Sequence, residues 1–245
     1  MDQITSMSKV ANGDCLELIR SVQDKSVDLI LTDPPYNLGT FMHERGTNIR
    51  GMRSNHFAYS GWDDLTFEEW SRVMELFLEE CNRVLKPRGT LLMFMSILKV
   101  ETIVRLATKA GLYYKTVGVW HKTNPMPRNM DLHFINSNEP WIYFIGGGGK
   151  TGVFNNNGKP IHDFIETPTI SYSEHKIGHH PTQKPKRVLK HFVDILSNED
   201  DLVMDPFMGS GSTGVVCELS NRRFIGFELD KSYYDVAVRR IKEKI

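Results

Sequence analysis

The 245-residue chain balances 30 Lys and Arg against 30 Asp and Glu, with 40% hydrophobic and 24% charged residues. These are the values of a single globular domain large enough to bury a sizeable core. No stretch reaches the roughly 18 apolar residues of a membrane span, and Met1-Asp2-Gln3-Ile4-Thr5-Ser6 lacks a secretion-signal pattern. Cys15, Cys81 and Cys217 are far apart and form no CxxC, so neither disulfides nor a metal site is expected, and a reducing cytoplasm is the expected compartment.

In chain order, Asn12-Gly13-Asp14-Cys15 precedes a short helical pattern in Leu16, Leu18 and Ile19, where Asp14 suits a helix cap. The apolar run 27–32 reads as a buried strand and stops at Asp33-Pro34-Pro35-Tyr36. The double proline makes a stiff turn whose carbonyls are free to accept hydrogen bonds. An acid, such a turn and an aromatic ring can hold a flat molecule bearing an amine. They can equally be a Pro-Pro strand exit with a capping Asp, and the tetrapeptide alone leaves both readings open.

Residues 37–62 lack periodicity and carry Arg45, Arg50 and Arg53, the marks of a lid or binding loop. Thr66-Phe67-Glu68-Glu69 is a capping box, and the helix behind it places Phe67, Trp70, Met74, Phe77, Cys81 and Val84 on one core-facing stripe. Lys86-Pro87-Arg88-Gly89 ends that helix. A buried strand over 90–95, a helix over 97–110 stopped by Gly111, and an alternating strand over 114–120 follow.

Residues 121–139 are irregular and mildly basic, and 141–145 form the next strand. Gly146-Gly147-Gly148-Gly149-Lys150-Thr151 suggests a phosphate loop, but Phe144 stands where its first glycine belongs and no helix follows, so an ATP site is rejected. His180-Pro181-Thr182-Gln183-Lys184-Pro185 opens a helix over 186–196. Charge is unevenly spread: residues 63–80 hold seven acids and one base, whereas 175–191 hold five Lys or Arg and no acid. A basic face opposite an acidic one suits a polyanion partner.

The second half supplies strand, glycine-rich turn and helix: Asp205-Pro206-Phe207-Met208-Gly209-Ser210-Gly211-Ser212-Thr213 after the run 201–204, then a strand over 223–227 ending at Glu228. Glycines at 209 and 211 let backbone approach a ligand closely, and the N–H groups opening the next helix suit an anion. Glu228 is placed to accept ribose hydroxyls, as strand-end acids do in dinucleotide folds. The final helix spans 232–241.

Together, DPPY, DPFMGSGST, HPTQKP and FELD resemble the beta class of amino-methyltransferases, which methylate exocyclic base nitrogens in DNA with S-adenosylmethionine. The resemblance implies one Rossmann-like α/β domain over 1–245, a doubly wound, mostly parallel sheet with inserted DNA-recognition loops at 37–62 and 121–180. It implies catalytic Asp33, Pro34, Pro35 and Tyr36. Asp14 and Cys15 would lie by the cofactor adenine, Thr182 and Lys184 by its carboxylate. Asp205, Pro206, Phe207, Gly209, Ser210, Gly211, Ser212 and Thr213 would form the cradle, with Glu228 and Leu229 at the ribose.

Arg45, Arg50, Arg53, Lys122 and Arg128 are the expected contacts to double-stranded DNA. A homodimer and a cognate restriction endonuclease acting on the same site are further partners that the resemblance allows. Asp rather than Ser before Pro-Pro leans toward adenine N6 as the target. Cytosine N4 is the alternative within the class, and a catalytically silent nucleic-acid-binding relative the alternative outside it. C5-cytosine methylation is rejected, because Asp14, Glu80 and Val216 stand before the cysteines where that chemistry needs proline.

Overall fold

The structure, a computed structural model, describes residues 1–38, 65–125, 134–170, 174 and 183–245. Its first half runs β1 (Asp2–Gln3), β2 (Ser8–Asn12), α1 (Cys15–Ile19), β3 (Val27–Thr32), α2 (Phe67–Val84), β4 (Leu85–Phe94), a 3-10 turn (Ile97–Lys99), α3 (Val100–Lys109) and β5 (Tyr113–Lys122). Then come β6 (Asn138–Ile145), β7 (Phe164–Thr167), α4 (Lys186–Leu196), β8 (Leu202–Asp205), α5 (Ser212–Leu219), β9 (Arg223–Glu228) and α6 (Lys231–Glu243).

The described strands form one nine-stranded sheet in the order β1-β2-β9-β8-β3-β4-β6-β5-β7. From β2 through β4 every neighbouring pair is parallel, whereas β6 is antiparallel to both β4 and β5. Strand β3 lies inside the parallel part, covered on both faces, so it is largely aliphatic, with Asp28 near its start paired to Lys86. From Leu29 onward its side chains alternate: Leu29 and Leu31 join the core under α4, α5 and α6, while Ile30 joins the core under α1, α2 and α3, as does Val27, which precedes a register shift in the strand. Burying each of these aliphatic side chains contributes about 1.5–3 kcal/mol. The expected three layers, helix–sheet–helix, follow from this two-sided burial.

The capping box of α2 is present: Thr66 Oγ1 accepts from the Glu69 N–H at 3.2 Å and Glu69 Oε2 accepts from the Thr66 N–H at 3.0 Å. Trp70, Met74, Phe77, Leu78, Cys81 and Val84 are its buried face. Phe67, expected in that stripe, is 47% exposed, and its ring meets the Lys99 ammonium at 4.8 Å.

The segment Lys86-Pro87-Arg88-Gly89 does not end the helix as a loop. Leu85 already pairs with Val27, and pairing resumes at Thr90 with Leu29, so the four residues bulge from β4. The glycine run after β6 packs on this bulge: a Cβ on Gly147 would lie 2.6 Å from Pro87 Cα and 2.7 Å from the Lys86 carbonyl. Close backbone approach is what these glycines serve.

The region 121–180, expected to be an inserted recognition segment, contains β6 and β7 of the central sheet. Those two strands are thus part of the central sheet and not a separate insertion.

Candidate active site

Parallel neighbours β3 and β8 end side by side, and each hands the chain to one of the two motifs. Thr32, the last residue of β3, donates from Oγ1 to Asp205 Oδ1 at 2.9 Å. Asp205 Oδ2 accepts from Thr213 Oγ1 at 2.7 Å, and Oδ1 also accepts from the Phe207 N–H at 3.2 Å. One buried carboxylate thus ties the strand, the turn and the helix behind the turn. Burial pushes the Asp205 carboxyl up to about 6, with the hydroxyls of Thr213 and Thr32 opposing it.

The turn needs its glycines. Gly209 and Gly211 have φ of 50° and 78°, and a Cβ on Gly211 would lie 2.9 Å from Ala237 Cβ. Ser210 Oγ donates to Gln183 Oε1 at 2.9 Å, which ties the turn to the segment opening α4. Arg240 of α6 clamps the turn from beneath, its Nη1 donating to the Ser210 carbonyl at 2.6 Å, Ser210 Oγ at 2.7 Å and Ser212 Oγ at 3.1 Å. Arg240 is wholly buried, and its Nε and Nη2 have no partner among the described residues.

Glu228, at the end of β9, accepts from the Gly209 N–H at 3.0 Å and the Asp230 N–H at 2.8 Å, one on each carboxylate oxygen. Burial pushes its carboxyl up to about 7. The segment after β2 closes on the same strand end, with the Gly13 N–H and Asn12 Nδ2 donating to the Glu228 carbonyl at 3.0 and 2.7 Å. Asp14 Oδ1 caps α1, accepting from the Leu16 and Glu17 N–H groups at 2.8 and 3.3 Å. Cys15 is buried, Leu229 is exposed, and the Phe207 ring lies edge-on to Phe77 at 5.2 Å. Each carboxylate oxygen of Glu228 keeps a second lone pair, so the strand end has the acceptor capacity that two ribose hydroxyls need.

The tetrapeptide Asp33-Pro34-Pro35-Tyr36 sits in a network of buried charges. Tyr36 Oη lies 2.6 Å from Asp33 Oδ1 and 2.7 Å from Glu139 Oε1. The Lys184 ammonium bonds Asp33 Oδ2 and lies 2.8 Å from Glu139 Oε1, while Lys122 Nζ holds Glu139 Oε2 at 2.7 Å. Burial raises the Asp33 carboxyl, with Lys184 opposing and Glu139 reinforcing the shift. Burial also works against charge on Glu139, but the ammoniums of Lys184 and Lys122 outweigh it and hold that carboxyl down at about 2. Lys184 is likewise penalised by burial, and the two carboxylates overcome this and push it up.

Two of the expected ligand-binding lysines have partners within the chain. Lys184, expected at the cofactor carboxylate and counted in the basic face, is 8% exposed and paired with Asp33 and Glu139. Lys122, expected on DNA, has its charge matched by Glu139 and its ammonium 5.0 Å from the Trp120 ring. Thr182, Arg45, Arg50, Arg53 and Arg128 lie outside the described residues.

Glu139 and Arg240 are site residues that sequence reasoning missed. Each carried a faint signal: Glu139 is a lone acid at the mouth of the apolar run 140–145, and Arg240 is a charge between Ala237 and Ile241 on a buried helix face.

The sequence signature of the DNA methylase family N6_N4_Mtase matches residues 27–239. The chain is 29% identical to the Type II methyltransferase M.HinfI of Haemophilus influenzae, covering 97% of this chain and 69% of that protein. It is 28% identical to the Type II methyltransferase M2.LlaDCHI of Lactococcus lactis subsp. cremoris, covering 96% and 89%. The crystal structure of the M1.HpyAVI–SAM complex superposes with a TM-score of 0.70 at 26% identity, over 96% of this chain and all of that one. The family uses S-adenosylmethionine as its cofactor, and the site geometry, the fold and these likenesses agree: the chain belongs to the N6_N4_Mtase family of DNA methylases.

Proposed function

We propose that this chain transfers the methyl group of S-adenosylmethionine to the exocyclic N6 of an adenine turned out of double-stranded DNA. The observation that carries the reading is the juxtaposition of Asp33-Pro34-Pro35-Tyr36 with the Asp205–Thr213 turn at adjacent carboxyl ends of β3 and β8, pinned by the Thr32–Asp205 hydrogen bond. Ligands of open α/β sheets lie in such crevices.

Glu228 would hold the cofactor's ribose, the Gly209–Gly211 turn its amino-acid portion, and Asn12 to Asp14 the wall by its adenine. Bound there, the cofactor supplies an electrophilic sulfonium methyl. The chain's own work is on the amine. An exocyclic amine is a poor nucleophile because its lone pair is conjugated into the ring. Asp33 and the Pro34 carbonyl, accepting from its two protons, favour the pyramidal nitrogen whose lone pair is free. Asp33 retains this capacity beside Tyr36 and Lys184, since each carboxylate oxygen has a second lone pair. Holding nitrogen and methyl about 3 Å apart in line supplies much of the remaining rate. Turning the base out of the duplex costs a few kcal/mol, which stacking on Tyr36 partly offsets.

The reading is tested by incubating the protein with S-adenosylmethionine and unmethylated DNA, followed by nucleoside mass spectrometry. N6-methyladenine is the expected product. N4-methylcytosine instead would overturn the base assignment while sparing the mechanism, and absence of any methylated base would overturn the activity.

A further inference from the structure

We propose that Glu139 is a positioning residue for methyl transfer, which holds the Tyr36 hydroxyl and the Lys184 ammonium when Asp33 receives the target amine. The inference rests on the methyl-transfer reading above and extends it to a residue on an antiparallel strand outside the motifs.

The argument is one of competing acceptors. A phenol has one proton, yet Tyr36 Oη lies within 2.7 Å of an oxygen of Asp33 and an oxygen of Glu139. Lys184 is shared in the same way, bonding Asp33 Oδ2 and lying 2.8 Å from Glu139 Oε1. Every donor that occupies Asp33 therefore has Glu139 as its second acceptor. When the amine takes a place on Asp33, Tyr36 and Lys184 shift weight to Glu139 without losing their bonds, so no buried donor is orphaned. Lys122 fixes Glu139 from behind through Oε2. Without Glu139, the hydroxyl and the ammonium have only Asp33, and the amine must share that one carboxylate with both.

Among the described residues, the groups facing Asp33 are Tyr36, Lys184 and Glu139, with Asp205 across the strand ends. Removing the Glu139 charge takes away a like charge beside Asp33 and leaves Lys184 to it alone, so Asp33 stays ionised to lower pH.

The test is single-turnover transfer of labelled methyl to unmethylated DNA at saturating DNA, comparing wild type with Glu139→Gln. The rate is expected to fall on the order of tenfold to a hundredfold, the effect of a small misplacement near reacting atoms. S-adenosylmethionine affinity should stay within about threefold, and the acid limb of the rate profile should move to lower pH. In a Tyr36→Phe background the loss should be clearly smaller, because the two residues act as one unit. A folded Glu139→Gln with wild-type rate, a loss wholly in cofactor affinity, an unmoved acid limb, or strict additivity with Tyr36→Phe would each overturn the proposal. Should Glu139→Gln not fold, Lys122→Met loosens Glu139 from its outer side: a smaller loss of rate supports the role and an unchanged rate overturns it. If wild type transfers no methyl group to DNA, the methyl-transfer reading fails and takes this inference with it; an active wild type beside an equally active Glu139→Gln sinks this inference alone.

Discussion

Thr32 and Asp205 come from opposite halves of the chain, and the 2.9 Å hydrogen bond between them joins the strand that carries the tetrapeptide to the turn that carries the glycines. Both residues are buried, so the bond is neither exchanged for water nor weakened by salt. Thr32→Val keeps the shape and removes the donor, which should cost about 1–3 kcal/mol of stability. It should also weaken S-adenosylmethionine binding, because Asp205 anchors both ends of the turn through Phe207 and Thr213. Denaturant titration and calorimetry check the two effects separately, and an unchanged stability would mean the bond does no more than balance the water hydrogen bonds it replaces.

Asp33→Ala should reduce methyl transfer at least a hundredfold or so, the size of losing a preorganised contact to the reacting group. Cofactor affinity should be kept, since Asp33 is bonded to Tyr36 and Lys184 and not to the glycine turn. Full activity in this variant, measured by methyl incorporation, would falsify the mechanism.

Stacking by the ring face alone would make Tyr36→Phe nearly harmless. The hydroxyl is engaged by both Asp33 and Glu139, so a loss of about tenfold in single-turnover rate is expected, with DNA affinity little changed because the ring remains. Tyr36→Ala should instead weaken DNA binding as well. Equal rates in Tyr36→Phe and wild type would assign the tyrosine to stacking only.

Gly211→Ala places a side chain on a residue with φ of 78° and drives its Cβ to 2.9 Å from Ala237 Cβ. The left-handed backbone alone costs about 1–2 kcal/mol, and the contact falls on backbone-anchored Ala237 of α6. The turn should shift and cofactor affinity should fall more than tenfold. A folded variant with wild-type affinity in calorimetry would show that the turn does not form the cofactor cradle.

The Glu228 carboxyl, held at about 7 by burial, must be ionised to accept from two ribose hydroxyls. S-adenosylmethionine affinity should therefore weaken as pH falls below about 7, and Glu228→Gln should bind more weakly with a flatter profile. The sign for stability is opposite. Between the ordinary 4.5 and about 7, the cofactor-free folded protein holds a proton that the unfolded chain has released. Glu228 therefore lowers stability as pH rises through that window. Melting curves at pH 5 and pH 8, with and without cofactor, separate the two; a cofactor affinity independent of pH would remove Glu228 from the ribose.

The sequence by itself determined what local chemistry dictates. A double proline stops a strand wherever the chain goes, a positive φ demands Gly209 and Gly211, and Thr66 with Glu69 caps a helix from within one turn. Period and burial were likewise readable in 27–32 and in the stripe of α2, because core-facing positions recur at fixed spacing. Only the tertiary structure decided how the buried charges pair. Lys184 stands in a basic run and Lys122 in a mildly basic one, and the resemblance points the first to the cofactor carboxylate and the second to DNA; β6 brings Glu139 beside both, a partner that nothing in the local sequence announces. Arg240 shows the same limit, since its value comes from the Ser210 and Ser212 oxygens about 30 residues upstream that it clamps. Ion pairs across strands that are distant in sequence leave no periodic trace in the chain, because their geometry exists only once the sheet order is set.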